Sequence, residues 1–120
     1  MAKASIFTLD PTPKFKIDVK IPRPGENEDG ILTLHFKHHP IDEFTATMAE
    51  TESTLATIDE NDPQGFDIMT NAVMHIAEGW GFPDKFTKEN MRRLLVNYPR
   101  AFGAIHGTYY LELMGLREKN

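Results

Sequence analysis

Two hydrophobic periods divide this sequence, and the switch between them limits the folds open to it. From Lys14 to Ile21, Phe15, Ile17, Val19 and Ile21 alternate strictly with Lys14, Lys16, Asp18 and Lys20. A period of two belongs to a strand with one face buried and one in water. Pro22 and Pro24 stop that strand, and Gly25-Glu26-Asn27-Glu28-Asp29-Gly30 is turn-forming. Leu32, Leu34 and Phe36 then alternate with Thr33, His35 and Lys37 in a second strand. Together these segments predict a β-hairpin with a long polar tip. A lone hairpin is marginal in water, so its apolar face needs cover from the rest of the chain.

Beyond Pro40 the period changes to that of a helix. Ile41, Phe44, Met48, Leu55 and Ile58 share one stripe and predict a first amphipathic helix over about 41–58. Its threonine-rich composition makes it a weak helix former by itself. Asp62-Pro63 is a cap and first-turn signature, and Phe66, Met69, Val73, Ile76 and Ala77 mark a second helix ending at Gly79. Thr87 caps a third, with Met91, Leu94, Leu95 and Tyr98 at i, i+3, i+4 and i+7. Pro99 opens a fourth, which carries Phe102, Ile105, Tyr109 and Leu113 and has Gly115 placed to end it.

The expected architecture is therefore α+β and mainly helical: an N-terminal β-hairpin followed by about four amphipathic α-helices in one domain. That domain spans residues 14–116, between an irregular N-terminal arm at 1–13 and a frayed tail at 117–120. A chain of 120 residues can bury about two-thirds of its unfolded surface, enough to fold without covalent staples.

Cysteine is absent, which excludes disulfides, thiolate metal sites and thiol nucleophiles and fits a reducing compartment. The first residues carry one lysine and no sustained apolar run, and no stretch approaches the roughly 18 apolar residues of a membrane span. No membrane partner is expected. The formal charge of −5 argues against nucleic acid, whose phosphates require clustered Lys and Arg.

The distribution of charge says more than its sum. From Ile41 to Asp84 there are ten acidic residues and no Lys or Arg, whereas Lys85 to Arg100 holds five basic residues and one acid, Glu89. This bipolarity suits head-to-tail self-association, or docking onto a basic helical partner, as well as it suits two solvated faces with no specific role.

Motifs for chemistry are weak. His35, His38 and His39 cluster at a strand end, but adjacency and Pro40 make a shared metal geometry awkward and no acidic ligand is fixed nearby. His75 and Glu78 stand three apart, a spacing used in di-metal bundles, yet the matching carboxylates are missing and His75 falls on the solvent side of its helix. Gly79-Trp80-Gly81 lacks the further glycine and preceding strand of a phosphate loop. Arg92 and Arg93 invite a helix-turn-helix reading, but the following helix offers little besides Arg100 to read base edges. Neither a catalytic residue nor a cofactor is expected. Gly103 and Gly107, four apart in the last helix, each cost about 1 kcal/mol relative to Ala, a cost that a close helix crossing within the fold or between subunits would offset.

One stretch resembles a known family. Gly79-Trp80-Gly81-Phe82, Phe86-Thr87-Lys88-Glu89-Asn90, Leu94-Leu95-Val96-Asn97-Tyr98-Pro99-Arg100-Ala101 and Ile105-His106-Gly107-Thr108-Tyr109 resemble the C-terminal half of phage tail assembly chaperones of long-tailed bacteriophages. The N-terminal half agrees in organisation. The resemblance implies a non-enzymatic protein that coats the helical tape measure protein before tail tube protein subunits polymerise around it, and that leaves before the tail is finished. It would act in the host cell cytoplasm, be absent from the mature virion, and associate with copies of itself.

Trp80, Phe82, Phe86, Tyr98 and Tyr109 are the candidates for partner contact, since aromatics dominate interface energies, although core packing competes for each. Family members are often also made as a C-terminally extended form by ribosomal frameshifting, and the codons of Glu118-Lys119-Asn120 could encode a slippery run. Two other readings stay open: a structural tail completion or connector subunit that remains in the particle, and a metal-dependent hydrolase using His35, His38 or His75.

Overall fold

A computed structural model describes residues 7–116. The hairpin forms as its alternation demands. β1 (Lys14–Ile21) and β2 (Gly30–Lys37) pair antiparallel, in a register that sets Phe15 against Phe36, Ile17 against Leu34 and Val19 against Leu32. Val19, Ile21, Leu32, Leu34 and Phe36 are buried on the inner face. Because the side-chain period is two, slipping this register by one residue would turn the whole apolar set to water.

Four helices follow: α1 (Ile41–Leu55), α2 (Gln64–Ile76), α3 (Lys88–Asn97) and α4 (Ala101–Leu113). The α+β architecture read from the sequence is the one observed. α1 ends three residues earlier than its apolar stripe suggests, and Phe44 is its buried residue. Its threonines turn inward on their own helix: Thr45, Thr51 and Thr54 donate to the carbonyls of Ile41, Thr47 and Glu50, each at 2.9 Å. Such bonds satisfy the hydroxyls locally and leave α1 held chiefly by Phe44, Met48 and its packing on α2.

The remaining boundaries have identifiable causes. Asp62 accepts from the Gln64 N–H at 2.9 Å, and Thr87 accepts from the Asn90 N–H at 3.1 Å; each supplies an acceptor to one of the orphan donors of a helix start. α3 stops at Tyr98, extended at φ −129°, because a residue preceding proline is driven out of the helical region. α4 closes in a Schellman motif. Gly115 sits at φ +72°, its N–H donates to Glu112 at 3.1 Å, and that of Leu116 donates to Leu111 at 2.8 Å.

One element departs from the sequence reading. α2 ends at Ile76 rather than Gly79, and Ala77–Trp80 form a short third strand, β3, antiparallel to β2. Ala77 is already extended at φ −115° and ψ 147°. Pairing Leu34 with Trp80, His35 with Gly79 and Phe36 with Ala77 leaves Glu78 as the extra residue of a bulge. Gly79 permits this close approach: a Cβ there would stand 3.0 Å from His35 Nδ1. The strand thus removes Glu78 from the helix on which it was expected to share a face with His75. Glu78 instead pairs with Lys14 at 3.4 Å across the sheet.

The core lies between the inner sheet face and the helices. Val73 and Ile76 of α2, Met91 and Leu95 of α3, and Ala101, Ile105 and Tyr109 of α4 close over Leu34, Phe36 and Trp80. Full burial of one such aliphatic side chain contributes about 1.5–3 kcal/mol. No helix of the described residues is long and apolar enough to cross a membrane.

Candidate functional site

The end of β3 and the segment after it form an aromatic rim. Trp80 is nearly buried, and its indole Nε1 donates to the carbonyl of Asp84 at 2.7 Å. That bond folds the 81–86 segment back over the ring. Phe82 and Phe86 both meet Trp80 edge-on, with ring centroids at 5.4 and 5.2 Å and interplanar angles of 73° and 87°. Such contacts add about 0.5–1.5 kcal/mol beyond area burial. Asn90 secures the segment from the other side, its side-chain amide donating to the Lys85 carbonyl at 2.8 Å.

Phe82 remains 47 % exposed. It stands over a groove of about 480 Å³ whose floor and walls include Trp80, Leu94 and Tyr98, and whose rim carries Arg23 and Pro24 from the hairpin and Arg93 from α3. Both guanidinium groups are oriented by local bonds. Arg23 Nε donates to the Glu28 carbonyl at 3.1 Å, and Arg93 donates to the Asn90 side-chain oxygen at 3.2 Å. Glu26 and Asp84 add acidic groups to the same rim. An apolar anchor flanked by fixed charges of both signs is equipped to hold a protein segment in one orientation.

Four of the five candidate aromatics gather here: Trp80, Phe82 and Phe86 as one cluster and Tyr98 on the groove wall. Tyr109 does not. It is fully buried, packed against Phe15, Phe36 and Phe44 with centroids at 5.9, 5.2 and 4.9 Å. Its hydroxyl donates to Lys37 on β2, and burial pushes its pKa up to about 12. The hairpin contribution from Arg23, Pro24 and Glu26 carries no sequence signal, because it depends on how the hairpin tip lies against α3.

The histidines are placed elsewhere. His39 Nε2 lies 2.9 Å from the His75 carbonyl, and the two rings stack with centroids 4.2 Å apart. Burial first, and then the positive charges of His39 and Lys37, hold His75 below the usual histidine range. Among the described residues no three His, Asp or Glu side chains gather as a metal site would require. Arg92, one of the two arginines that invite a helix-turn-helix reading, pairs with Asp67 at 2.8 Å and bridges α3 to α2.

A family model described as phage tail assembly chaperone matches residues 1–120. The chain belongs to the phage tail assembly chaperone family. No curated protein and no solved structure matches it. The resemblance carried by Gly79 to Tyr109 is thus the right one, and the match extends it through the hairpin and α1. In this tail assembly chaperone the quoted motifs do structural work at both ends of α3. The Gly79-Trp80-Gly81-Phe82 segment builds β3 and the groove, while Leu94-Leu95 and Tyr98-Pro99 supply core, groove wall and helix stop. The family description names a chaperone, not an enzyme.

Proposed function

We propose that this tail assembly chaperone binds the tape measure protein, keeps it soluble, and helps recruit tail tube subunits during tail morphogenesis, with the groove at Phe82 as its contact surface. A tape measure chain carries apolar stripes that stay uncovered until the tube encloses it, so it needs a cover that binds at many sites and lets go. The observation that carries this reading is the half-exposed Phe82 ring, seated on Trp80 and flanked by the oriented side chains of Arg23 and Arg93. The chaperone acts in the host cytoplasm, associates with further copies of itself, and departs before the virion is complete.

Co-expression with the large helical protein encoded downstream tests this reading. Recovery of that protein in soluble form, bound to many copies of the chaperone and lost on Phe82→Ser, is the expected result. An insoluble partner beside well-expressed, folded chaperone would overturn it, as would retention of the chain in finished particles. Glu118-Lys119-Asn120 lie outside the described residues; GAG or AAG codons there would remove the frameshift proposal, and a slippery run together with a longer product in expressing cells would support it.

A further inference from the structure

A second groove lies between β1 and α4, beside an open strand edge. The sheet order is β1-β2-β3, so among the described residues no strand pairs with the outer edge of β1. The Pro13 carbonyl accepts from the His38 N–H at 3.1 Å, which makes the 13/38 pair one of the hydrogen-bonded type. The register then gives the same type to 15/36, 17/34, 19/32 and 21/30. Lys14, Lys16, Asp18 and Lys20 therefore turn their backbone N–H and C=O groups away from β2, toward the open edge.

Alongside that edge, between β1 and α4, runs a groove of about 580 Å³ whose apolar part is made by Ile17, Leu111 and Leu116 over Gly103 and Gly107, with charged groups such as Lys20 also on its lining. A Cβ placed on Gly103 or Gly107 would meet nothing within 4 Å, so no helix crossing inside the fold accounts for these two glycines. They lower one wall of the groove instead. An edge strand facing a helix across an apolar trough is the arrangement that accepts an added strand, whose main chain pairs with the edge while alternate side chains fill the trough.

The chain carries a segment with the matching pattern. Leu9 is 99 % and Phe7 87 % exposed. At i and i+2 they would share one face of a strand, with Thr8 and Asp10 on the other. With Phe7 and Leu9 set into the groove, Asp10 would lie on the side of the sheet that carries Lys14, Lys16 and Lys20. This arm cannot easily return to its own β1. Pro11 and Pro13 are held near φ −65°, and both Asp10 and Thr12 precede a proline and are restricted to extended backbone. The chain bends at Leu9 and Asp10 and leaves both apolar side chains exposed outside the groove of their own chain, which makes exchange with a neighbour a direct way to bury them.

We infer that the groove between β1 and α4 receives the N-terminal arm around Phe7 and Leu9 from a second copy of this chain, as an added strand on the β1 edge. The inference deepens the self-association part of the function proposed above. It does not require tape measure binding, so failure of the co-expression experiment leaves it standing.

The absence of cysteine permits a clean test with two single variants, Leu9→Cys and Gly107→Cys. Mixed and gently oxidised, they should give a disulfide heterodimer well above either homodimer and above a control pairing of Leu9→Cys with Asp59→Cys. In sedimentation velocity, Leu9→Lys and Gly107→Leu should shift the protein toward monomer while circular dichroism stays unchanged. A heterodimer no more abundant than the control overturns the inference. So does a wild-type chain that is monomeric at its highest soluble concentration. A Leu9→Cys/Gly107→Cys double variant that closes within one chain, leaving no cross-linked dimer, would assign the groove to the chain's own arm and equally overturn it.

Discussion

The Tyr109 hydroxyl donates to the carbonyl of Lys37 at 2.8 Å, tying the last helix to the end of the second strand across 72 residues of sequence. The ring completes an aromatic cluster with Phe15, Phe36 and Phe44. One side chain thus joins hairpin, α1 and α4, although Tyr109 reads in the sequence as a stripe residue and a candidate for partner contact. Tyr109→Phe keeps the packing and strips the carbonyl of its donor, which should cost about 1–3 kcal/mol in urea denaturation. Tyr109→Ala should cost about 3–5 kcal/mol.

The same hydroxyl sets a limit in alkali. Burial raises its pKa from 10.0 to about 12, so above pH 10 the unfolded chain releases a proton that the folded chain retains. The stabilising contribution is fully present below pH 10 and is lost as pH rises toward 12. Wild-type stability should fall across that window more steeply than that of Tyr109→Phe, measured by denaturant titration at fixed ionic strength.

His106 has the opposite sign. Its ring lies near Phe44 and Phe102, with centroids at 6.0 and 4.4 Å, and Nδ1 stands 3.2 Å from the Phe102 carbonyl while Nε2 is buried with no partner. Burial lowers its pKa from 6.5 to about 4. Below pH 6.5 the unfolded state takes up a proton that the folded state refuses, so stability falls as pH drops toward 4. The expected slope is about 1.4 kcal/mol per pH unit for one proton. His106→Leu removes both the titration and the unpaired nitrogen. It should lose this increment of acid sensitivity and be at least as stable as wild type at pH 7; an unchanged difference between pH 7 and pH 5 would sink the argument.

At the start of α3, Thr87→Ala removes the side-chain acceptor of the Asn90 N–H and should destabilise by about 1 kcal/mol. Thr87→Ser restores the oxygen and should recover most of the loss. Because the cap also positions the helix that carries Leu94 and Tyr98, hydrogen exchange at Asn90 and Met91 should report the fraying directly.

Where period and cap chemistry are local, the fold was legible. The hairpin register follows from the alternation of Phe15 to Ile21 against Leu32 to Phe36, and Asp62, Thr87, Pro99 and Gly115 mark helix ends by backbone and hydrogen-bond rules that act over a few residues. β3 was not legible. Ala77-Glu78-Gly79-Trp80 is too short to show a period and continues the apolar stripe of α2, and it is extended because the open edge of β2 offers it partners. The usable signal was Gly79 and Gly81 flanking Trp80, small residues where the strand crosses His35 and Thr33. The groove was legible in its aromatics and not in Arg23, Pro24 and Glu26, whose place depends on the hairpin tip meeting α3.

The Phe82 groove gives the sharpest separation of stability from function. Phe82 is half-exposed, and its main internal contact is the edge-on meeting with Trp80, so Phe82→Ser should cost no more than about 1.5 kcal/mol of stability. A ring at the centre of a partner contact is worth about 2 kcal/mol or more of binding energy, so under the function proposed above the same change should weaken capture of the tape measure protein at least about 30-fold. Val96, which is 41 % exposed on α3 and is not among the groove residues, serves as the control: Val96→Ser should leave capture unchanged. Arg93→Ala should lower the association rate and its dependence on salt more than it raises the dissociation rate, because a rim charge steers encounter. Equal losses from Phe82→Ser and Val96→Ser would mean that the partner reads general apolar surface and that the groove has no special part in binding.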